Sequence, residues 1–525
     1  MVHFTAHGDL QLLVLLVALT AMLAVAAVGR LPPPLLFVAG GLVLGFLPGL
    51  PHFALPPELV LVAILPPLLY SSAFFTGLRD LRANLRPITL LAVGLVAVTT
   101  GTVAVVSHAV ISGFSWGEAF TLGAVVSPTD ALAATEIIRR VQVPRRVITV
   151  IEGESLVNDG VALVLYKTAL GAAVAGTFSL WSASWHLVVN VIGGIAVGLG
   201  VGYLVRQLRR RIDDAPTEVS IALLSGYLAY LPAAAIGVSG VLAAVTIGVY
   251  MGWYTPQLTN GVTRISGNAF WEIVTFFVNA LLFVLVGLQL RGIVDRLDGR
   301  SLSSLVWDAL VVSAVVIATR IVWVPILTYV PRALFRRVRE RDPYPPWQAP
   351  AIIAWAGIRG AVSLAAALAL PIALAGRDLI VFVTFFVILV TLVGQGLTLA
   401  PLVRRLNVQD DGGAEREDAK ARIKAAQAAL ARLDELEAEG WVLPDTAERA
   451  RGQYRFRTNR FRVRYEGVDE EGLEARSQQY QRLRRELLEA ERQAVLRLRN
   501  EGTITEEVMQ RVQRDIDLED LRLDL

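Results

Sequence analysis

The chain has 525 residues, of which 54 % are hydrophobic and 18 % charged, with a mean hydropathy of +0.54. A water-soluble fold cannot hide so much apolar surface, which excludes an ordinary soluble enzyme or binding module. The formal net charge of +3 and pI of about 9.2 would suggest nucleic-acid binding in a soluble chain. Here the arginines before residue 410 lie mostly between apolar runs, where a topological role fits better and no nucleic-acid partner is expected. Cysteine is absent, so disulfides and thiolate metal sites are excluded.

From about Leu10 to Leu402 apolar runs of about 17–25 residues follow one another, the length that crosses a bilayer core of about 30 Å as helix. They predict an all-α membrane protein of about thirteen transmembrane helices. The spans lie near 10–29, 35–49, 57–76, 87–111, 117–138, 146–175, 184–206, 217–232, 236–253, 268–290, 303–330, 348–374 and 378–403. The first run, Leu10 to Val28, lacks a basic flank and a cleavage site, and is read as a retained helix rather than a signal peptide.

Basic residues gather in alternate loops: Arg79, Arg82 and Arg86; Arg139, Arg140, Arg145 and Arg146; Arg209, Arg210 and Arg211; Arg336, Arg337, Arg339 and Arg341. The intervening loops Pro48–Pro57 and Thr177–Trp185 are nearly free of charge. Arg291, Arg296 and Arg300 are the main exception, partly offset by Asp295 and Asp298. The positive-inside rule then puts the N-terminus outside and the C-terminus in the cytoplasm, in the cell membrane. After Asp410 the sequence turns to dense Glu, Arg and Gln, so two units are expected: a membrane domain over 1–409 and a cytoplasmic helical tail over 410–525. In the tail, Ile423, Leu430, Leu433 and Leu436 form an apolar stripe ending near Gly440, and Leu483, Leu487 and Leu488 mark a second helix. Thr503 and Glu506 have capping-box spacing before a third helix, Glu506 to Leu518.

An ionisable side chain inside a spanning helix costs about 2.5–3.5 kcal/mol or more, which makes each one a functional candidate. They concentrate in four places. In Val126-Ser127-Pro128-Thr129-Asp130 of the fifth span, Pro128 predicts a helix break, with Asp130 at the break or capping the helix after it. A broken helix in hydrocarbon needs a cavity or protein partners for its freed backbone groups. In Glu152-Gly153-Glu154-Ser155-Leu156-Val157-Asn158-Asp159 of the sixth span, Ser155 and Asp159 share one helix face, and Glu154 and Asn158 the neighbouring one. That set of oxygens suits a dehydrated hard cation, or alternatively a polar network between helices. One carboxylate there can hold a proton or a cation, not both. Gly357-Ile358-Arg359-Gly360 in the twelfth span predicts a second interruption, or tight packing with Arg359 reaching for the interface. Arg320 in the eleventh span needs a carboxylate, Glu154 first and Glu152 second. If spans 1–6 and 8–13 are repeats, both interruptions fall fifth in their set. Such placement points to inverted repeats with a site between the broken helices, although the halves share no clear residue-level similarity.

These segments, with Leu65-Pro66-Pro67-Leu68-Leu69 in the third span, resemble the sodium/proton exchanger family, in the NhaP-like branch of the monovalent cation/proton antiporters. The resemblance implies the antiporter fold with inverted repeats and two discontinuous crossing helices. It implies a homodimer whose core of about six helices moves like an elevator. Asp159 would be the shared proton and cation carboxylate, and Asp130, Thr129, Ser155 and Asn158 would complete or support coordination of the transported ion. Glu154 and Arg320 would form a structural ion pair, Arg359 would balance charge, and no cofactor is implied. An Asn before the key Asp, here Asn158, resembles electroneutral members, which implies one cation per proton. Where many members carry an acid after the proline motif, this chain has Ser71 and Ser72, which leaves sodium, lithium and potassium as candidate ions.

Three other classes would need different features. A channel would need a filter-like segment, and none is evident. An organic-anion transporter could use Arg320 and Arg359, with the aspartates as counterions. An intramembrane hydrolase would need metal-spaced histidines, but His3, His7, His52, His108 and His186 lie near the N-terminus, at span ends or in loops.

Overall fold

The computed structural model describes residues 17, 20–25, 32–47, 59–139, 141, 143–175, 180–294, 301–408, 412–466 and 473–523. Among these residues every regular element is helical. The first predicted span lies outside them except for residues 17 and 20–25. So do the loop at 48–57, Arg140, Arg296, Arg300, Asp295, Asp298, His3, His7 and His52. The chain divides into two compact units, Met1–Gln409 and Asp410–Leu525.

In the first unit α1 is Pro33–Phe46, and α2 is Leu65–Phe75, led in by a π-helical turn at Leu59–Ile64. The short α3, Leu78–Ala83, precedes α4, Leu85–Val110, which carries a second π segment at Leu90–Leu95. Helices α5, Trp116–Val126, and α6, Ala131–Arg139, are the halves of the interrupted fifth span. Then come α7, Arg145–Ala175; α8, Leu180–Arg209; α9, Ala215–Ala235; α10, Gly240–Leu258; α11, Gly261–Val294; and α12, Leu302–Leu334. A short α13, Arg336–Arg341, leads to α14, Gln348–Trp355, and α15, Ala361–Leu368, the halves of the interrupted twelfth span. Helix α16, Arg377–Leu406, contains a third π segment at Thr391–Gln395.

Six of these helices are long and apolar enough to cross a bilayer; the others in the bundle are shorter, interrupted, more charged or less apolar. Close backbone approach contributes to the packing, a common solution where lipid tails compete equally for apolar surface. Helix α1 lies along α11, where a Cβ on Gly41 would run into the carbonyl of Val284 and one on Gly287 into that of Val38. Buried Val, Ile, Leu and Phe of α4, α5, α12, α15 and α16 form one core, and those of α1, α6, α7, α11 and α14 a second. The interrupted helices run between these cores.

The loop placement of the basic residues changes. Arg209 is not a loop residue: it ends α8, is buried, and bonds Glu218 on α9 at 2.9 Å. Most of the other described basic residues read as loop residues also stand on helices: Arg79 and Arg82 on α3, Arg86 at the start of α4, Arg139 at the end of α6, Arg145 and Arg146 at the start of α7, Arg291 in the last turn of α11, and Arg336, Arg337, Arg339 and Arg341 on the short α13.

The second unit has α17, Gly413–Ala438; α18, Pro444–Glu466; α19, Leu473–Asn500; and α20, Glu506–Leu523. Gly440, with φ of +78°, turns the chain between α17 and α18. Helix α18 goes unread in the sequence because arginine dominates it; it buries Ala447, Thr458 and Phe461, and Arg451 ties it to Asp434 and Glu437 of α17. The buried residues of α17 are Ala419 and Ala426, with the predicted stripe only half-buried beside them. Leu488, Val495, Met509 and Ile516 form the core between α19 and α20, while Leu483 and Leu487 are exposed. The cap of α20 is Thr505, which accepts from the Val508 N–H, because the Thr503 N–H is taken by the Leu498 carbonyl that ends α19.

The α1–α11 contact yields a test. Gly287→Ala is expected to destabilise the protein by about 1–3 kcal/mol through overpacking. Gly292→Ala, where a Cβ meets open space, should leave the detergent unfolding midpoint unchanged. Equal midpoints for both variants would contradict the close packing.

Candidate functional site

Helix α5 stops at Val126, two residues before Pro128, which has no N–H to continue the ladder, and α6 restarts at Ala131. Helix α14 stops at Trp355 and α15 restarts at Ala361, across Ala356-Gly357-Ile358-Arg359-Gly360. The two gaps meet: the Asp130 N–H donates to the Ile358 carbonyl at 2.8 Å. Each interruption therefore supplies a backbone partner to the other. Gly360 is required at this crossing, because a Cβ on it would collide with the Asp130 carboxylate.

Two fully buried arginines occupy the ends of the half-helices. Arg320 on α12 donates from Nε and Nη2 to the carbonyl of Ile353, in the last turn of α14, at 3.1 and 3.0 Å. Arg359 donates from Nε to the carbonyl of Val126, the last residue of α5, at 3.2 Å. It also bonds the Gly357 carbonyl, and its N–H donates to the Thr391 hydroxyl at 3.1 Å. Carbonyls at a helix C-terminus lack intrahelical donors and carry the negative end of the macrodipole, so a guanidinium meets both needs. Arg320 further grips Glu154 on α7 with both prongs, Nη1 on Oε1 and Nη2 on Oε2, the latter at 2.8 Å. Arg359 has no carboxylate within ion-pair distance among the described residues.

Thr129, in the first gap, ties the network to α7. Its hydroxyl donates to Glu154 Oε1 at 3.2 Å and accepts from Asn158 Nδ2 at 2.8 Å. Its carbonyl accepts from the Ser155 hydroxyl at 3.0 Å, and Ser155 Oγ accepts in turn from the Ala131 N–H at 3.2 Å. Asp130 caps α6 by accepting from the Leu132 N–H with Oδ1 at 2.9 Å.

Asp159 stands apart. It is one turn beyond Ser155 on α7, only 6 % exposed, and its carboxylate has no hydrogen-bond or ion-pair partner among the described residues. It lines a small, partly open cavity of about 70 Å3 together with Asp130, Thr129, Ser155, Ser72, Asn279 and Ser363. The remaining wall is mainly apolar, with Leu65, Leu68, Leu156 and Phe283 among its members. Two carboxylates, hydroxyls and an amide oxygen in a mostly apolar recess suit a small hard cation that has shed part of its water.

The structure thus brings Asp159, Asp130, Ser155 and Thr129 to one cavity, and sets Asn158, Glu154, Arg320 and Arg359 outside its lining. Asn158 is fully buried and spends its amide N–H on Thr129, so it supports the break rather than facing the recess. Ser71 turns inward to the Leu68 carbonyl at 2.9 Å, and Ser72 alone of that pair reaches the cavity. Sequence reasoning missed Asn279 and Ser363. Asn279 had a signal, as an amide within the apolar run Phe276-Phe277-Val278-Asn279-Ala280-Leu281-Leu282. Ser363 had none, since small hydroxyls are common in helices packed within a membrane.

The transmembrane sodium/hydrogen exchanger family model matches residues 13–405. An uncharacterised Na+/H+ exchanger of Mycobacterium tuberculosis is 37 % identical over 529 residues, covering 97 % of this chain and 96 % of that one. The Na+/H+ antiporter ApNhaP of Aphanothece halophytica is 31 % identical over 457 residues, covering 83 % and 84 %. Among solved structures, the sodium proton antiporter MjNhaP1 from Methanocaldococcus jannaschii superposes with a TM-score of 0.59 at 18 % identity. That match covers 76 % of this chain and 99 % of the other, and shows that the fold is shared.

Removing one member of the buried ion pair strands the other. Glu154→Leu and Arg320→Met are each expected to cost about 3–5 kcal/mol of stability, and the double variant Glu154→Leu/Arg320→Met less than either single one. Thermal unfolding of the four proteins in detergent checks this; additive losses would show that the two side chains do not act as a pair.

Proposed function

This chain belongs to the sodium/hydrogen exchanger family, and we propose that it exchanges protons for a monovalent cation, sodium first, one for one across the cell membrane. The observation that carries the reading is Asp159, an unpartnered carboxylate at a cavity that also holds Asp130, Ser155 and Ser72. A carboxylate in low-dielectric surroundings must be neutralised, and a proton and a cation are alternative ways to do it. Each occupant expels the other, which couples their movements.

One-for-one exchange is supported by the charges around the breaks. Asp130, Asp159 and Glu154 stand against Arg320 and Arg359, leaving one negative charge that a single proton or a single monovalent cation cancels. Asn158 contributes no charge. Carrying a unit charge across 100 mV would be worth about 2.3 kcal/mol, so a cycle that moves none is driven by concentration gradients alone. Thr129, Ser155 and Asp130 are assigned to the ion's coordination, Asn158 to holding Thr129, and Glu154–Arg320 and Arg359 to keeping the broken helices in place. Ser72 offers a neutral hydroxyl, which keeps lithium and potassium as further candidate ions.

Alternation is assigned to an elevator-like movement of the part containing α5–α7 and α14–α16 within a homodimer. The N-terminus is placed outside, and residues 410–525 form a cytoplasmic tail. The membrane-spanning unit is assigned to 1–409. An organic-anion transporter would present its arginines to the substrate, and both buried arginines instead face helix-end carbonyls away from the cavity lining.

In proteoliposomes loaded with a pH dye, added sodium should dissipate an imposed pH gradient in the wild type and not in Asp159→Asn. The initial rate should be indifferent to a valinomycin-set membrane potential. Undiminished exchange by Asp159→Asn would refute the assignment of Asp159, and a rate that follows the potential would refute one-for-one stoichiometry.

A further inference from the structure

Away from the cavity, at the bundle end that the positive-inside reading assigns to the cytoplasm, arginines converge on a concavity. Its lining includes Arg86, Arg145, Arg146, Arg337 and Arg341, with Asp80 and Asp342 as its acids. Five guanidinium groups against two carboxylates leave three uncompensated positive charges on one inward-curving surface. Asp342 is already shared: it faces Arg146 at 2.8 Å and Arg86 at 3.7 Å, and is gripped by Arg332. Asp80 is bound by Arg145 at 2.8 Å. Nothing comparable serves Arg337 and Arg341, neither of which has a carboxylate at ion-pair distance among the described residues.

A second observation is independent of the charge count. The Nη2 of Arg86 is shielded from solvent and has no hydrogen-bond acceptor. The Arg86 side chain as a whole is half-buried and its Nη1 faces Asp342, so this donor is one shielded atom of a guanidinium that is otherwise in reach of the concavity. The N-terminus of the long helix α7 also opens here, with Arg145, Arg146 and Thr149 of its first turns in the lining. Helix N-termini favour anions through their free amides and dipole. Topogenic arginines need only lie on the correct side of the membrane; they do not need to share one concavity at a helix N-terminus.

We propose that this concavity is a binding site for a phosphate-bearing anion. Planar guanidinium forks match phosphate oxygens in pairs, and a concave positive surface concentrates the field on a multiply charged ligand. Two sources can present that chemistry, a soluble phosphoanion and the headgroup of an acidic phospholipid in the adjacent leaflet. The site is remote from Asp159 in the fold and does not depend on the exchange reading.

The test uses the full chain in phosphatidylcholine nanodiscs, with Arg337→Gln/Arg341→Gln as the variant, since neither residue supports the fold through an ion pair. Arg210→Gln, outside the concavity, is the control, and unfolding midpoints confirm that all three proteins are folded. Inorganic pyrophosphate is titrated calorimetrically. Separately, protein repurified from vesicles of phosphatidylcholine doped with phosphatidic acid is weighed by native mass spectrometry. Saturable pyrophosphate binding, weakened about tenfold or more in the double variant and unchanged in the control, supports the soluble source. Retained phosphatidic acid, lost in the double variant, without pyrophosphate binding, supports the lipid source. Binding of neither probe, or binding that the double variant leaves intact, overturns the proposal.

Discussion

Two helices that stop inside a membrane-spanning bundle leave amides and carbonyls that neither water nor lipid can satisfy, and the whole site is organised around meeting that need. The gap before α6 and the gap before α15 answer each other through Asp130 and Ile358. The carbonyls that end α5 and α14 are met by Arg359 and Arg320. Each arginine is a buried charge that would be prohibitive alone, and each is stabilised by oriented carbonyl dipoles, with Glu154 as the counterion of Arg320. Pro128 and Gly360 are the minimum sequence expense of this arrangement: one ends a ladder, the other lets two backbones cross at the Asp130 carboxylate.

That organisation explains why one carboxylate is left over. Glu154 is held by Arg320 and Thr129, and Asp130 spends an oxygen on the first turn of α6. Asp159 lies on the same helix as Glu154, but a turn further on, past the reach of the network and facing the recess. The separation of a saturated polar network from a single unsaturated acid lets the first hold shape while the second changes its occupant. Thr129 and Ser155 join the two, because both belong to the network and to the cavity wall.

Much of the helical plan is legible in the sequence because lipid imposes a length: apolar runs mark the spans, and proline or paired glycines mark the breaks. The grouping of Glu154, Ser155, Asn158 and Asp159 is legible for the same reason, since a long helix through hydrocarbon has few polar residues. Spacing could not say which face points at a cavity, and Asn158 and Asp159, adjacent in sequence, end in different surroundings. The π segments at Leu59–Ile64, Leu90–Leu95 and Thr391–Gln395 do not show in the apolar runs, which read the same for either helix type. Arg209 hid within a run of loop-like arginines because its partner, Glu218, lies on another helix. Helix α18 hid because its buried face, Ala447, Thr458 and Phe461, is sparse among many arginines.

Competition for one carboxylate is the centre of this account, and proton counting reads it most directly. Sodium is titrated into the detergent-solubilised protein by calorimetry in buffers of different ionisation enthalpy, over a range of pH. The account predicts that sodium binding releases up to one proton per site at pH values where the site is protonated, and that Asp159→Asn abolishes both the binding and the release. Sodium binding that releases no proton at any pH, or release that persists in Asp159→Asn, would contradict it.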